Sequence, residues 1–344
     1  MTDVNPTIEA VDVDRLLEIA GPSIEYRTRR EILGASSRSE RMADLQSKIV
    51  EDRSVQRILS IAREDGWIGD TFHGTEGIEG GIRLLCEKGL AREHPVLAKA
   101  LDALAAGDDR LHLGIGKVGR VLDDAGLGGS EMIRAAVHAY AGDEDRPHVA
   151  RQVEGALEGF RSVLSVRSVD EISEEYKGKL VFREGAQWPS IYHLRLLSGT
   201  HGWRTTGSVR AVASAVERLV DLSPIPEIYL RLGSQLMAPA SFAMNDFTSG
   251  LDEVDGYGQM LWFHRMELLG RVGVLSLVPS VRQLVDRLAG MLEDGLFGRK
   301  LNHPSFQKWG VYAGLALERD WRAPSRRIAD LTFRALLILR CAAS

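Results

Sequence analysis

Apolar residues return every third or fourth position along most of the chain. Val209, Val212, Ala213, Val216, Leu219 and Val220 line one face of a predicted helix, while Arg210, Ser214, Glu217 and Asp221 point away. Val281, Leu284, Val285, Leu288 and Leu292 repeat the pattern, as do Val96, Leu97, Ala100, Leu101 and Leu104. Each stripe predicts a helix buried on one side. The last segment differs, because Ile328, Leu331, Phe333, Leu336, Leu337 and Leu339 cover most of a helical circumference and predict burial on several sides. Pro-Ser dipeptides at 22–23, 189–190, 279–280, 304–305 and 324–325 mark sharp helix starts, since proline loses nothing in a first turn and serine can satisfy free backbone donors there.

Strand signals are scarce. Only 179–183, with Leu180, Val181 and Phe182, reads as extended, and one short run cannot build a sheet. The pattern therefore predicts an all-α fold of roughly twelve to fourteen antiparallel helices joined by short turns, such as those at 21–22, 66, 107–108 and 223–224. The segment 237–258, rich in Gly, Asp, Ser and Asn, is the longest candidate loop and a candidate lid.

With 344 residues and 44% hydrophobic composition, the chain can bury a large core, and it reads as a single domain over 1–344 with residues 1–10 a flexible tail. A net charge of −5 provides no general footprint for nucleic acid or an anionic membrane. The two cysteines, Cys86 and Cys341, stand in apolar runs without histidines at metal-ligand spacing and read as buried thiols, which fits a reducing cytoplasm. The start of the chain has neither the basic nor the apolar stretch of a signal peptide, and the most apolar segment, 331–343, is too short to span a bilayer. A cytoplasmic protein is expected.

A faint internal echo runs through Gly66-Trp67, Gly202-Trp203 and Asp320-Trp321, each closing one apolar helix. The segments Pro22-Ser23-Ile24-Glu25-Tyr26-Arg27, Arg63-Glu64-Asp65-Gly66-Trp67, Gly202-Trp203-Arg204-Thr205 and Asp320-Trp321-Arg322, the last with the helix that follows it, resemble those of the prenyltransferase and squalene-cyclase α/α toroids, in particular uncharacterised bacterial members. The resemblance implies inner and outer helices around a central cavity. The Asp-x-Asp-Asp acid motif of the cyclases is absent, since 252–255 reads Asp-Glu-Val-Asp, and Asp123-Asp124 does not continue into a diphosphate-binding motif. No zinc ligand set can be placed, so neither metal nor cofactor is expected.

Isolated polar residues remain as candidates. His73 and Glu76 could form an acid–base pair in a cavity, or Thr75 could simply cap the helix that follows. Trp188, Tyr192, His193, Arg195, His201 and Trp203 form the densest aromatic and cationic cluster: either a tryptophan corner, or a cavity wall with His193 as its proton-transfer group. Trp262 and His264 stand in an apolar helix as core residues or as a further part of that wall. Arg322, Arg326, Arg327 and Arg334 with Asp320 and Asp330 read as a charge network pinning the terminal helices, or as a phosphate clamp. Two functions follow. One is an enzyme acting on an apolar, isoprenoid- or polyketide-like small molecule by acid–base cyclisation or isomerisation, with His73, Glu76 and His193 catalytic and Trp188, Tyr192, His201, Trp203, Trp262 and His264 binding substrate. The other is a non-catalytic helical array that binds a peptide or nucleic acid. Converging histidine and carboxylate groups in an enclosed cavity favour the first.

Overall fold

The computed structural model describes residues 11–107, 109–299, 301 and 316–343. Fourteen α-helices are present among them. They are α1 (Val13–Ile19), α2 (Pro22–Arg27), α3 (Glu40–Val50), α4 (Arg53–Ser60), α5 (Ile78–Glu87), α6 (Pro95–Ala106), α7 (Gly116–Asp124), α8 (Ser130–Tyr140), α9 (Pro147–Val163), α10 (Ile191–Gly199), α11 (Thr206–Leu222), α12 (Gly256–Val272), α13 (Pro279–Ala289) and α14 (Pro324–Ala343). Proline opens α2, α13 and α14, whereas Ser190, not Pro189, caps α10; the dipeptide at 304–305 lies outside the described residues.

The helices fall into two classes by burial. In α2, α5, α8, α10, α12 and the middle of α14, nearly every side chain is buried, including the charged ones. The helices α3, α4, α6, α9, α11 and α13 bury one stripe each, and Val212, Val216, Leu219, Leu284 and Leu288 face inward as their spacing predicts. Buried helices pack on one another in the sequence α5 on α8, α8 on α10, α10 on α12, α12 on α14 and α14 on α2, and Arg27 reaches Glu87 to join α2 to α5. The striped helices cover them: α3 lies on α2, α6 on α5 and α8, α9 on α8 and α10, and α13 on α14. Close approach needs small residues. A Cβ on Gly199 would stand 2.8 Å from the Ala139 backbone, and one on Gly270 2.7 Å from Cys341 Cβ, so the α8–α10 and α12–α14 crossings both depend on glycine.

The chain is helix-rich but not purely all-α. The run at 179–183 is one strand of a four-stranded sheet, β1 (Ser173–Tyr176), β2 (Lys179–Phe182), β3 (Ile228–Leu232) and β4 (Gln235–Met237), in the order β1-β2-β3-β4. The β1–β2 and β3–β4 pairs are antiparallel and β2–β3 is parallel. Partners 48 residues downstream of β2 lie beyond any local periodicity, and β1 reads Ser-Glu-Glu-Tyr, a surface strand with little apolar alternation. A second hairpin, β5 (Leu292–Glu293) and β6 (Leu296–Phe297), turns on Asp294-Gly295, both at positive φ, so Leu292 belongs to a strand and not to the α13 stripe. The segment 238–255 is tied down: the Ile191 N–H donates to Ala240 O at 2.9 Å and the Trp262 indole N–H to Ser249 O at 3.0 Å.

The beginning and end of the described chain meet at Glu318. Its Oε1 accepts the Gly21 N–H at 2.5 Å, and Asp330 accepts both the Glu318 N–H at 3.2 Å and the Trp321 indole N–H at 2.9 Å. Burial, aided by the neighbouring Asp330 carboxylate and opposed by Arg326 and Lys88, pushes the Glu318 carboxyl up to about 7 from an ordinary 4.5. A carboxyl raised on folding contributes stability that is present below pH about 4.5 and lost as pH rises through about 7. Urea unfolding at pH 5 and pH 8 is expected to show Glu318→Gln gaining up to about 3 kcal/mol on the wild type between the two. An unchanged difference between the two proteins would place the ionised form in the native state at both values.

Candidate functional site

The buried helices carry charges four residues apart in otherwise apolar surroundings. On α5, Glu79, Arg83 and Glu87 share one inward face; α12 supplies His264, Glu267 and Arg271, and α14 supplies Arg334. Arg27 closes α2, and the single π-helical turn after it, Thr28–Ile32, carries Glu31. These groups form a continuous lattice. Arg334 donates to Glu87 at 3.0 Å and Glu267 at 2.8 Å, Arg27 to Glu87 at 3.1 Å and Glu31 at 2.6 Å, and Arg271 to Glu31 and Glu267, both at 2.9 Å. Three guanidiniums thus balance three carboxylates. Burial alone would push the Glu87 carboxyl up, yet Arg334 and Arg27 hold it down to about 2, and the same carboxylates keep Arg27 and Arg334 charged by raising them. The Arg27 guanidinium also lies over the Phe333 ring, 5.0 Å from its centroid.

Above this lattice along α5 is a cavity of about 20 Å³, room for a single water. Glu79, Arg83, Tyr140, Tyr192, Arg195 and His264 line it, with an apolar side made by Ala136, Val137 and Leu268. Glu79, 1% exposed, bridges two groups: its Oε2 meets His73 Nδ1 at 2.5 Å and its Oε1 accepts the Tyr192 hydroxyl at 2.8 Å. Burial works to lower the His73 imidazole, but the Glu79 carboxylate outweighs it and holds the ring above its ordinary 6.5. The Arg195 Nε–H donates to His264 Nε2 at 3.2 Å, and its guanidinium stacks on Tyr192 at 4.8 Å. Burial drives His264 well below 6.5, helped by the Arg195 charge, so its imidazole is neutral; burial also lowers Arg195 to about 10, leaving it a cation at neutral pH.

The expected site residues are dispersed by the fold. Tyr192 and His264 meet at the cavity, with His73 one hydrogen bond behind it. Glu76 is not the partner of His73. It lies in the exposed turn ahead of α5 and pairs with Arg57, whereas Glu79, one helical turn further on, faces inward. Thr75 does not cap α5 either, because loop carbonyls of Thr71 and Phe72 accept the first free N–H groups. His193 closes a capping box with Ser190, its Nδ1 accepting the Ser190 N–H at 3.0 Å, and its ring rests against Gly128 and Gly159. Burial lowers that imidazole to about 4.

The tryptophans cap and pack. Trp203 donates its indole N–H to Leu197 O and Thr200 O, and Arg204 donates to Thr200 O and Ser198 O, so this pair satisfies the free carbonyls at the end of α10. Trp188 is buried ahead of α10, Trp262 is buried against Phe263 and the 238–255 segment, and His201 is exposed, paired with Glu144. The expected terminal arginine network is also rearranged. Arg322 pairs with Asp320 and Arg327 donates to the Trp321 and Arg322 carbonyls, and Arg334 joins the central lattice through Glu87 and Glu267. The acidic residues Asp252 and Glu253 pair with Arg287, and among the described residues no cluster of ligating side chains could hold a metal ion. No described helix is long and apolar enough to cross a membrane.

The charged residues Glu79, Arg83, Glu87 and Arg271 are absent from the candidates that the sequence offered. Their signal was present: charges at i and i+4 within helices whose other positions are apolar all round, where no solvated face exists to receive them. Compared with known proteins, the chain matches no family model, no curated protein and no solved structure.

Two outcomes follow from this geometry. Glu87→Gln leaves the guanidiniums of Arg27 and Arg334 short of a buried counter-charge, and denaturant unfolding is expected to report a loss of about 3–5 kcal/mol; a loss below 1 kcal/mol would mean water enters the lattice. His193→Ala removes one side of a capping box and is expected to lower stability by about 1–2 kcal/mol in the same measurement, and an unchanged midpoint would show that the α10 cap is not held by the imidazole.

Proposed function

We propose that the protein is an α/α-toroid enzyme that carries out proton-transfer chemistry, an isomerisation or cyclisation, on a small and largely apolar molecule at the Glu79 cavity. Support for the toroid comes from the alternation of wholly buried and one-sidedly buried helices along the chain and from the succession of contacts among α5, α8, α10, α12, α14 and α2. The observation that carries the chemistry is Glu79 itself, a buried carboxylate that lines a cavity and is held at both oxygens by His73 and Tyr192.

In this reading Glu79 removes a proton from the substrate, and Arg195 stabilises the negative charge that develops on a neighbouring oxygen, a cation acting at low dielectric where it is worth most. The Glu79 carboxylic acid so formed returns a proton to a second position of the substrate, which leaves the carboxylate as it began, and His73, partly exposed behind it, exchanges that proton with solvent between the two steps. Tyr192 orients the carboxylate. Ala136, Val137 and Leu268 form the wall against the apolar part of the substrate, and a molecule larger than water requires the side chains around this space to move apart.

The test compares wild type with Glu79→Gln on an extract of small metabolites in deuterated buffer, followed by mass spectrometry. The wild type is expected to convert or deuterate at least one compound and the variant to do so about a hundred times more slowly or worse. In the variant, the His73 imidazole, read by NMR, is expected to titrate lower, having lost its carboxylate partner. Equal conversion by both proteins, or none by the wild type, would overturn the reading.

A further inference from the structure

A second, larger recess lies at the other end of the buried helices, where α5, α8, α10 and α12 finish. It encloses about 770 Å³, within the range of small-molecule sites. Among the described residues its wall carries Arg27, Arg30, Arg38, Arg92 and Arg271 against Glu31 and Glu93. Three of these arginines are committed. Arg27 and Arg271 serve the carboxylate lattice, and Arg92 pairs with Asp143 at 2.6 Å and donates to Gly142 O. Those pairings also answer the partial negative charge that four helix C-termini bring to this end.

Arg30 and Arg38 are different. Both are exposed, and neither makes an ion pair with a described residue. Arg30 sits on the π-helical turn Thr28–Ile32, an irregularity that helices keep most often where a site is built. Among the described lining residues Glu93 is the one carboxylate without a described counter-charge, so the described pairs leave the recess a net positive balance. Tyr26 and Tyr140 add aromatic wall, and the Tyr140 hydroxyl is engaged with Glu87. Cys86 also lines the recess, but burial pushes its thiol up to about 12, so it supplies no nucleophile.

We propose that this recess binds a compact organic polyanion, a small molecule with two or more carboxylate or phosphate groups, gripped by Arg30 and Arg38 at the rim. Guanidinium forks fit such oxygens in pairs, and two exposed arginines can close on a ligand without breaking any internal bond. The recess and the Glu79 cavity have Tyr140 in common, but Arg30 and Arg38 line the recess alone, so the proposal stands whether or not the cavity is catalytic.

Calorimetric titration of the full chain with citrate and with tripolyphosphate, at constant ionic strength, tests it. Saturable binding to the wild type is expected, and the double variant Arg30→Gln/Arg38→Gln should weaken it by tenfold or more, in line with roughly 1.4 kcal/mol or more for lost charge-assisted bonds, at an unchanged melting temperature. No saturation by either anion at about 10 mM, roughly ten-thousandfold weaker than micromolar recognition, would overturn the proposal. So would binding that the double variant leaves intact. Binding of a polyglutamate peptide without binding of either small anion would overturn it as well, by making the recess part of a protein-docking surface.

Discussion

Charges carried into an apolar interior must be paired in place, and this constraint organises the centre of the molecule, where Arg27, Arg334, Glu87 and Glu267 are buried and Arg271 and Glu31 stand at the edge, partly exposed. Arg27, Arg334 and Arg271 share Glu87, Glu267 and Glu31 among four different segments of chain. Each guanidinium needs its carboxylates at hydrogen-bond distance, so rotating one helix about its axis by one residue strands a buried charge. Hydrophobic packing alone tolerates such slippage, because one leucine substitutes for another in a stripe. The ionic lattice does not, and it sets the rotational register in which the other buried side chains pack.

The same helices separate two environments. On α5, Glu79 and Glu87 are eight residues apart, about 12 Å along the axis. Glu87 is locked among guanidiniums and held down to about 2, a structural anion. Glu79 faces a cavity and is bonded to a histidine with a route to solvent and to a tyrosine without one, an arrangement that can pass a proton. One residue type therefore stands in two settings, set apart by which groups its oxygens meet. Tyr140, which lines both the cavity and the larger recess, marks the boundary between them.

The helices were legible in the sequence because their information is local: a stripe at 3.6-residue spacing, a proline at the first position, a glycine at the end. The strands were not, because β2 finds its parallel partner β3 across an entire helical hairpin, and the hairpin β5–β6 carries only the Asp294-Gly295 turn as its signature. The site was legible in part. Tyr192 and His264 stand at the cavity and His73 directly behind it, but His193 and Trp203 belong to the two ends of α10, where they satisfy backbone groups. Aromatic and histidine crowding in a sequence marks helix caps as readily as cavities, since both need a polar atom on an apolar body.

By itself, then, the sequence determined where helices begin, which face of the outer ones is buried, and that the last helix is buried on several sides, because backbone geometry converts residue spacing directly into faces. Only the tertiary structure decided that Glu79 meets His73, that Arg334 pairs with Glu87 and Glu267, and that Arg30 and Arg38 line one recess. Those choices depend on which helices stand side by side. A charge among apolar neighbours announces that it will have a buried partner, but the partner's identity resides in a segment tens to hundreds of residues away, and no local rule reaches it.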